Sequence, residues 1–198
     1  MKTFELRDAS AAMPPRSHPW TTTAAEPAHR YYDLRAQPEL IPTVLEDFRP
    51  WDRHAAVQDF YRLIADINGP ASALESNDCA FSGPEPSTMP GVTKRLQCSG
   101  RVGVLFRDLV RNTDARATKR FVLHLHRRLA TNAPGFEGGA IGTSQLVVDY
   151  RGLPASASTG TQTLIWFWAW GDQPTEVFAN LAEVVAGLSA GLIVKGAS

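Results

Sequence analysis

The sequence lacks the residue patterns that mark the commonest catalytic and cofactor-binding sites. It contains no GxSxG nucleophile motif, no HExxH zinc motif, no P-loop and no GxGxxG motif after a predicted strand. The glycine-rich stretch 138–142 is not followed by a helix or a lysine, which favours a loop that enters a strand. No spacing forces two carboxyl groups together for acid–base catalysis. We therefore expect no cofactor, and the sequence favours a protein that is not an enzyme.

An excess of charge of either sign is also absent. The chain of 198 residues has 20 basic and 20 acidic residues. A protein that binds nucleic acid through its phosphates normally carries a basic excess, so the composition predicts no nucleic-acid partner. One segment is locally basic, and its cations are Arg116, Lys119, Arg120, Arg127 and Arg128.

Long hydrophobic runs are missing as well. The longest apolar stretch, 184–194, is shorter than a membrane-spanning helix requires. The N-terminus has no apolar segment of the kind that a signal peptide contains. The sequence therefore predicts a soluble, cytoplasmic protein with reduced thiols and no membrane partner.

Cysteine and histidine are too sparse to predict a metal site. Cys79 and Cys98 are the only cysteines, and neither belongs to a CxxC or CxxH motif. Both fall on predicted strands, where they either face each other within disulfide range or remain buried free thiols, and the missing export signal favours free thiols. His124 and His126 would share one face of a strand but point about 200° apart on a helix. Because a helix is predicted there, we expect no metal.

Residues 1–36 show neither helical nor strand periodicity. Prolines, alanines and a threonine run predict an irregular N-terminal arm in front of a single α+β domain that spans 37–198. The arm nevertheless contains Trp20, Tyr31 and Tyr32, and a fully solvated tail seldom keeps three large aromatic rings. We expect the part with these rings to dock on the domain and the first dozen residues to be looser.

The apolar periodicity of the domain predicts helices and strands in the order α-β-β-α-β-β-α. After a short helix at about 42–48, longer helices are expected to begin after Asp52, after Asn112 or Thr113, and after Asp172. The predicted strands lie near 72–82, 94–110, 140–150 and 161–170. This order predicts an antiparallel sheet of about four strands with helices packed on one face. It resembles the element order of secretion-chaperone-type folds.

The most unusual feature is the predicted strand around 163–170. Alternation places Leu164 with the three tryptophans on one face, and Ile165 with Phe167 and Ala169 on the other. An antiparallel strand exposed on one side normally has a polar face, so both sides of this strand need a cover. Helices cover one side, and the arm, a partner protein or a ligand covers the other. The candidate binding residues are Arg101, Arg107, Trp166, Trp168 and Trp170.

Two functions fit these observations. The first is a non-catalytic binding or accessory protein, immunity-like or chaperone-like, that uses its tryptophan-rich sheet face against a protein partner. The second is a small-molecule-binding domain or enzyme with a pocket lined by tryptophan and arginine between sheet and helices. The missing catalytic motifs and the strand with two apolar faces favour the first. A closed pocket would favour the second, and an open apolar sheet face the first.

Overall fold

The computed structural model describes residues 1–6, 16–19, 33–41, 51–155 and 158–193. These residues form one sheet of six strands and four α-helices, with a 3-10 turn at Pro38–Leu40. The helices are α1 (Ala55–Asn68), α2 (Leu109–Thr113), α3 (Ala115–Asn132) and α4 (Pro174–Leu192). No helix among the described residues is long and apolar enough to span a membrane.

The three long helices that the sequence predicted are present, but the residues that precede them as caps differ from the prediction. His54, rather than Asp52, caps α1 and accepts a hydrogen bond from the Ala56 amide. Asp114 caps α3, and Gln173 precedes α4 without a side-chain cap. The prediction missed α2 because its five residues are too few to show a helical period.

The strands are β1 (Lys2–Glu5), β2 (Arg16–His18), β3 (Leu74–Pro86), β4 (Leu96–Phe106), β5 (Gly139–Tyr150) and β6 (Thr159–Gly171). Their order in the sheet is β1-β5-β6-β4-β3, and β2 pairs with β5 as well. The three pairings among the four long strands are antiparallel as predicted, but β1 and β2 run parallel to β5. The predicted sheet of about four strands is therefore too small.

Two segments of the predicted irregular N-terminal arm form strands in the structure. Lys2–Glu5 pairs with the β5 segment Ala140–Thr143, and Arg16–His18 pairs with Val148–Tyr150. The expectation that the first dozen residues are loose is wrong for residues 1–6, where Met1 is buried in the core. Strands of three or four residues are too short to show alternation. β1 and β2 form because they pair with the open edge of β5. The aromatic rings at positions 20, 31 and 32 and the predicted helix at 42–48 lie outside the described residues.

The predicted loop between β3 and β4 is also shorter than expected. Pro84 and Pro86 lie within β3, where the pairing with β4 shifts between Ser82 and Glu85. Among the described strands, β3 pairs only with β4, and an edge strand tolerates proline because its outer amides need no partner. The strand therefore continues to Pro86, four residues beyond its predicted end at 82.

The main core lies between one face of the sheet and the helices. Helix α4 packs on β6 between α1 and α3. The side chains of Ile165, Phe167 and Ala169 are fully buried in this core, as the alternation of β6 predicts. At Gly100 a Cβ atom would lie 2.3 Å from Phe167 Cζ, so glycine is required beneath that ring.

The opposite face of the sheet is concave, because its two edges meet at one end. His18 on β2 lies 3.1 Å from Glu75 on β3, although β5, β6 and β4 separate the two strands. A flat sheet would hold these strands about 19 Å apart at the usual strand spacing. A small second core fills this closed end and comprises Leu105, Val148 and Tyr150. The concave face is therefore closed at one end and open at the other.

Candidate functional site

The open end of the concave face carries an aromatic surface whose side chains come from three strands. Phe4 of β1 stacks on Trp168 of β6 with ring centroids 5.6 Å apart and an interplanar angle of 21°. The guanidinium carbon of Arg101 on β4 lies 5.6 Å from the ring centroid of Trp166. We call Phe4, Arg101, Trp166 and Trp168 the tryptophan platform. All four side chains are partly exposed among the described residues.

The pairing register of the strands explains why the side chains of the tryptophan platform lie next to one another. Trp166 is the direct partner of Arg101 on β4 and of Gly142 on β5, and Gly142 is in turn the partner of Phe4. A Cβ atom at position 142 would lie 3.1 Å from Phe4 Cε2 and 3.2 Å from Trp168 Cζ3. The missing side chain therefore lets the phenylalanine lie over β5 and reach the tryptophan. The sequence alone does not predict that Phe4 contacts Trp168, because β1 lacks a visible strand pattern.

A shallow depression of about 350 Å³ lies beside the platform. Its lining consists of Ala80, Phe81, Ser82, Ser99, Gly100, Arg101, Trp166 and Trp168. The Ser82 and Ser99 hydroxyls are 3.0 Å apart at its rim, and Ser82 also donates to Glu85. The depression thus combines ring faces and one guanidinium with small hydroxyl groups.

The polar atom of the Trp166 indole faces inwards. Its Nε1–H donates to the Ser144 hydroxyl at 3.1 Å, so this donor is already used within the protein. Trp166 therefore offers its ring face, rather than a hydrogen-bond donor, to a bound ligand or partner. Ring faces stack on planar groups and contact apolar side chains, while the neighbouring guanidinium attracts anions.

The other two predicted site residues lie away from the platform. Trp170 is buried, with 8% of its surface exposed, and its indole donates to the Glu137 carbonyl at 2.9 Å. Arg107 follows the end of β4 and donates to the carbonyls of Gly69, Pro70 and Leu74. Burial, followed by the charge of Arg35, lowers the pKa of Arg107. It connects the turn after α1 to the sheet.

A second polar depression, of about 470 Å³, lies at the closed end of the concave face. It contains the buried carboxylate of Glu75, which contacts His18 at 3.1 Å and Arg35 at 3.6 Å. Burial, followed by the charge of Glu75, raises the pKa of the nearby Tyr150 hydroxyl above its usual range. Sequence reasoning missed this group because His18 and Arg35 belong to the arm, which shows no periodicity.

Further inside this closed end, polar side chains form a buried row. Arg16 donates to Gln162 Oε1 at 2.8 Å, and the Gln162 amide donates to Asn77 Oδ1. The three side chains are between 0% and 3% exposed. The two hydrogen bonds link β2 to β6 and β6 to β3, and bonds between buried side chains restrict how these strands can be arranged. The closed end therefore fixes the curvature that the open end depends on.

The cysteines and histidines that the structure describes are not grouped as metal ligands. Cys79 and Cys98 are free thiols, and their register partners on the neighbouring strands are Val102 and Ala169. Burial, followed by the charge of Glu85, raises the pKa of Cys98 to about 12. His126 lies on helix α3 with its Nε2 3.2 Å from the Thr143 hydroxyl. Among the described residues, no three His, Cys, Asp or Glu side chains are grouped to hold a metal ion.

The concave face therefore carries partly exposed aromatic rings at its open end and a buried polar cluster at its closed end. Comparison with protein families, with curated proteins and with solved structures finds no match to this chain.

Proposed function

We propose that this protein is a non-catalytic binding or accessory protein, immunity-like or chaperone-like, that binds a protein partner on the tryptophan platform. The observation that carries the proposal is the row of partly exposed Phe4, Trp168, Trp166 and Arg101 side chains across the open end of the concave face. Tryptophan and arginine are the residues most enriched among those that dominate binding energy at interfaces. We place this function in the cytoplasm, because both cysteines are free thiols.

The chemistry of the platform defines the partner. A partner side chain that enters the depression contacts the ring faces of Trp166 and Trp168, and an acidic group next to it pairs with Arg101. The expected anchor is therefore an apolar or aromatic side chain beside a carboxylate. Both tryptophans lie on β6, which is paired on both sides, so little conformational entropy should be lost when a partner binds.

Site-specific photo-crosslinking in cells tests this proposal. A photoreactive residue is introduced at Ser82, which lines the depression, and separately at Ala65 on the exposed side of α1. We expect a discrete crosslinked protein from position 82 and none from position 65. Combining the Ser82 probe with Arg101→Glu should abolish the product, because the acidic group of the partner then meets a like charge.

Two results would contradict the proposal. One is equal crosslinking from positions 82 and 65, which would indicate non-specific encounters. The other is an unchanged product when Arg101→Glu or Trp168→Ala is present and circular dichroism shows both variants to be folded. Either result removes the platform as the partner site.

The alternative function is the binding of a small planar anion in the same depression. Its volume of about 350 Å³ and the guanidinium over an indole ring favour such a ligand. Anilinonaphthalene sulfonate, a planar aromatic anion, is a direct probe. If this function is correct, the dye binds saturably at one site, and binding is lost in Arg101→Glu but kept in Arg53→Glu, which reverses an exposed charge elsewhere. Weak, non-saturable binding in all three proteins would exclude it.

A further inference from the structure

Helix α3 has a basic outer face that the platform does not use. Arg116, Lys119, Arg120 and Arg127 are all exposed and recur at intervals of three, four and seven residues, so they share one side of the helix. Leu123 lies in the middle of this group and is 42% exposed. We call these five residues the α3 basic face.

The opposite side of the helix holds this face in a fixed position. Leu125 and Leu129 are fully buried in the main core, and Phe121 packs edge-on against Phe106 with ring centroids 5.4 Å apart. The helix also contacts α4, β1 and β6. Its cations are therefore presented on a rigid support.

Almost nothing among the described residues neutralises these cations. Among the described residues, Arg120 forms an ion pair with Asp114 at 3.8 Å, and both side chains are at least half exposed. Helix α3 contains five basic residues and no acidic residue. Because the whole chain has 20 residues of each sign, the rest of the chain carries five more acidic than basic residues. The charge of the molecule is thus separated between this helix and the remainder.

We propose that the α3 basic face binds an acidic segment of a protein partner, with an apolar side chain of that segment on Leu123. The apolar centre favours a protein over a nucleic acid, because a phosphate backbone offers nothing apolar to cover an exposed leucine. The acidic remainder of the molecule repels an extended polyanion, and Glu5 lines the same depression as Lys119 and bounds the basic face on that side. A short acidic segment avoids both groups.

This surface is separate from the tryptophan platform. Helix α3 lies on the helical side of the sheet, and the platform lies on the concave side. A protein with both surfaces can hold two partners or two parts of one partner. The inference does not depend on the proposed function of the platform, and its test uses different residues.

The test is equilibrium binding of the full chain to three probes at low ionic strength, where surface charges are least screened. The probes are an acidic peptide with leucines at helical spacing among glutamates, the same peptide with lysine in place of glutamate, and a short DNA duplex. We expect the acidic peptide to bind, with an affinity that falls as salt is added, and the lysine peptide not to bind. No binding of the acidic peptide would overturn the proposal.

Three variants separate specific binding from general attraction. Reversing Arg116, Arg120 and Arg127 to Glu should weaken binding of the acidic peptide by about tenfold or more. A control that reverses the exposed Arg53, Arg62 and Arg151 changes net charge equally and should weaken it by less than about threefold. Equal losses in the two triple variants would show attraction to net charge alone and overturn the proposal.

The third variant, Leu123→Gln, tests the class of partner. It should weaken binding of the acidic peptide by about threefold or more and leave any DNA binding unchanged, because only the peptide covers the leucine. Tighter binding of DNA than of the peptide, with no effect of Leu123→Gln on either, would assign the face to nucleic acid and overturn the proposal.

Discussion

His18 and Glu75 lie on strands at opposite edges of the sheet, yet His18 Nε2 is 3.1 Å from Glu75 Oε1. This contact closes one end of the concave face and draws the N-terminal strand β2 against β3. Beneath it lie the buried Arg16–Gln162–Asn77 row and the small core around Tyr150. The closed end therefore fixes the curvature of the surface on which the tryptophan platform lies.

The first prediction concerns this closure. Glu75→Gln removes a buried carboxylate that contacts His18 and Arg35, so we expect the free energy of unfolding to fall by about 1–3 kcal/mol. Arg35→Gln is the control, because that side chain is 53% exposed and its pair at 3.6 Å contributes less than about 1 kcal/mol. Urea unfolding followed by tryptophan fluorescence measures both. A larger loss from Arg35→Gln than from Glu75→Gln would show that the carboxylate is not the stabilising partner.

The second prediction concerns the main core. Leu181 on α4 is 1% exposed, and Leu181→Asp places an unpaired charge there, which should cost more than about 3 kcal/mol. Ala186→Asp, on the exposed side of the same helix, should cost less than about 1 kcal/mol. Thermal unfolding by circular dichroism distinguishes them. An unchanged melting temperature for Leu181→Asp would refute the packing of α4 on the sheet.

The third prediction concerns the glycine under the platform. Gly142→Val introduces atoms where a Cβ alone would approach Phe4 and Trp168 to 3.1 Å and 3.2 Å. We expect a loss of stability of about 1–3 kcal/mol and a shift of tryptophan emission, because the phenylalanine is displaced from the indole. Gly152→Val has no atom within 4 Å of its Cβ and serves as the control. Unchanged stability and emission for Gly142→Val would contradict the observed stacking.

The fourth prediction concerns pH. Lys94 donates hydrogen bonds to Asp172 at 2.8 Å and to Glu176 at 2.7 Å, and these bonds lower the pKa of both carboxyl groups. A carboxyl group whose pKa is lower in the folded protein adds stability at neutral pH, and this stability is lost as pH falls through the folded pKa. Lys94→Met should therefore be less stable than the wild type at pH 7. The difference should shrink below about pH 4, where carboxyl groups become protonated.

Unfolding midpoints measured across the acidic range test this dependence. All three side chains are partly exposed, so the expected difference at pH 7 is small and should decrease when salt is added. A difference between wild type and Lys94→Met that is the same at pH 7 and pH 3 would refute the electrostatic explanation.

Local periodicity was sufficient to predict the central elements. The spacing of apolar residues in α1, α3 and α4 predicted three helices, because a helix that packs on a sheet repeats its buried side chains every three to four residues. The alternation of β6 predicted which of its residues face the helices, and Ile165 and Phe167 are indeed in the main core. Trp166 could be selected as a site residue because its strand has no polar face, and Arg101 because it lies on the polar side of the preceding predicted strand. Their use in binding stays a prediction.

Only the tertiary structure decided which residues meet across the sheet. Strands β1 and β2 are too short to be recognised alone, and they form because β5 has an open edge. Phe4 contacts Trp168 because Gly142, on a strand distant in sequence, has no side chain to separate them. Arg107 donates hydrogen bonds to backbone carbonyls and lies away from the platform. The sequence by itself determined the three long helices, the four long strands and their apolar faces, since these depend on neighbours along the chain. The curvature of the sheet and the set of side chains at its open end depend on contacts between residues that are distant in sequence. The local spacing of apolar residues does not reveal such contacts.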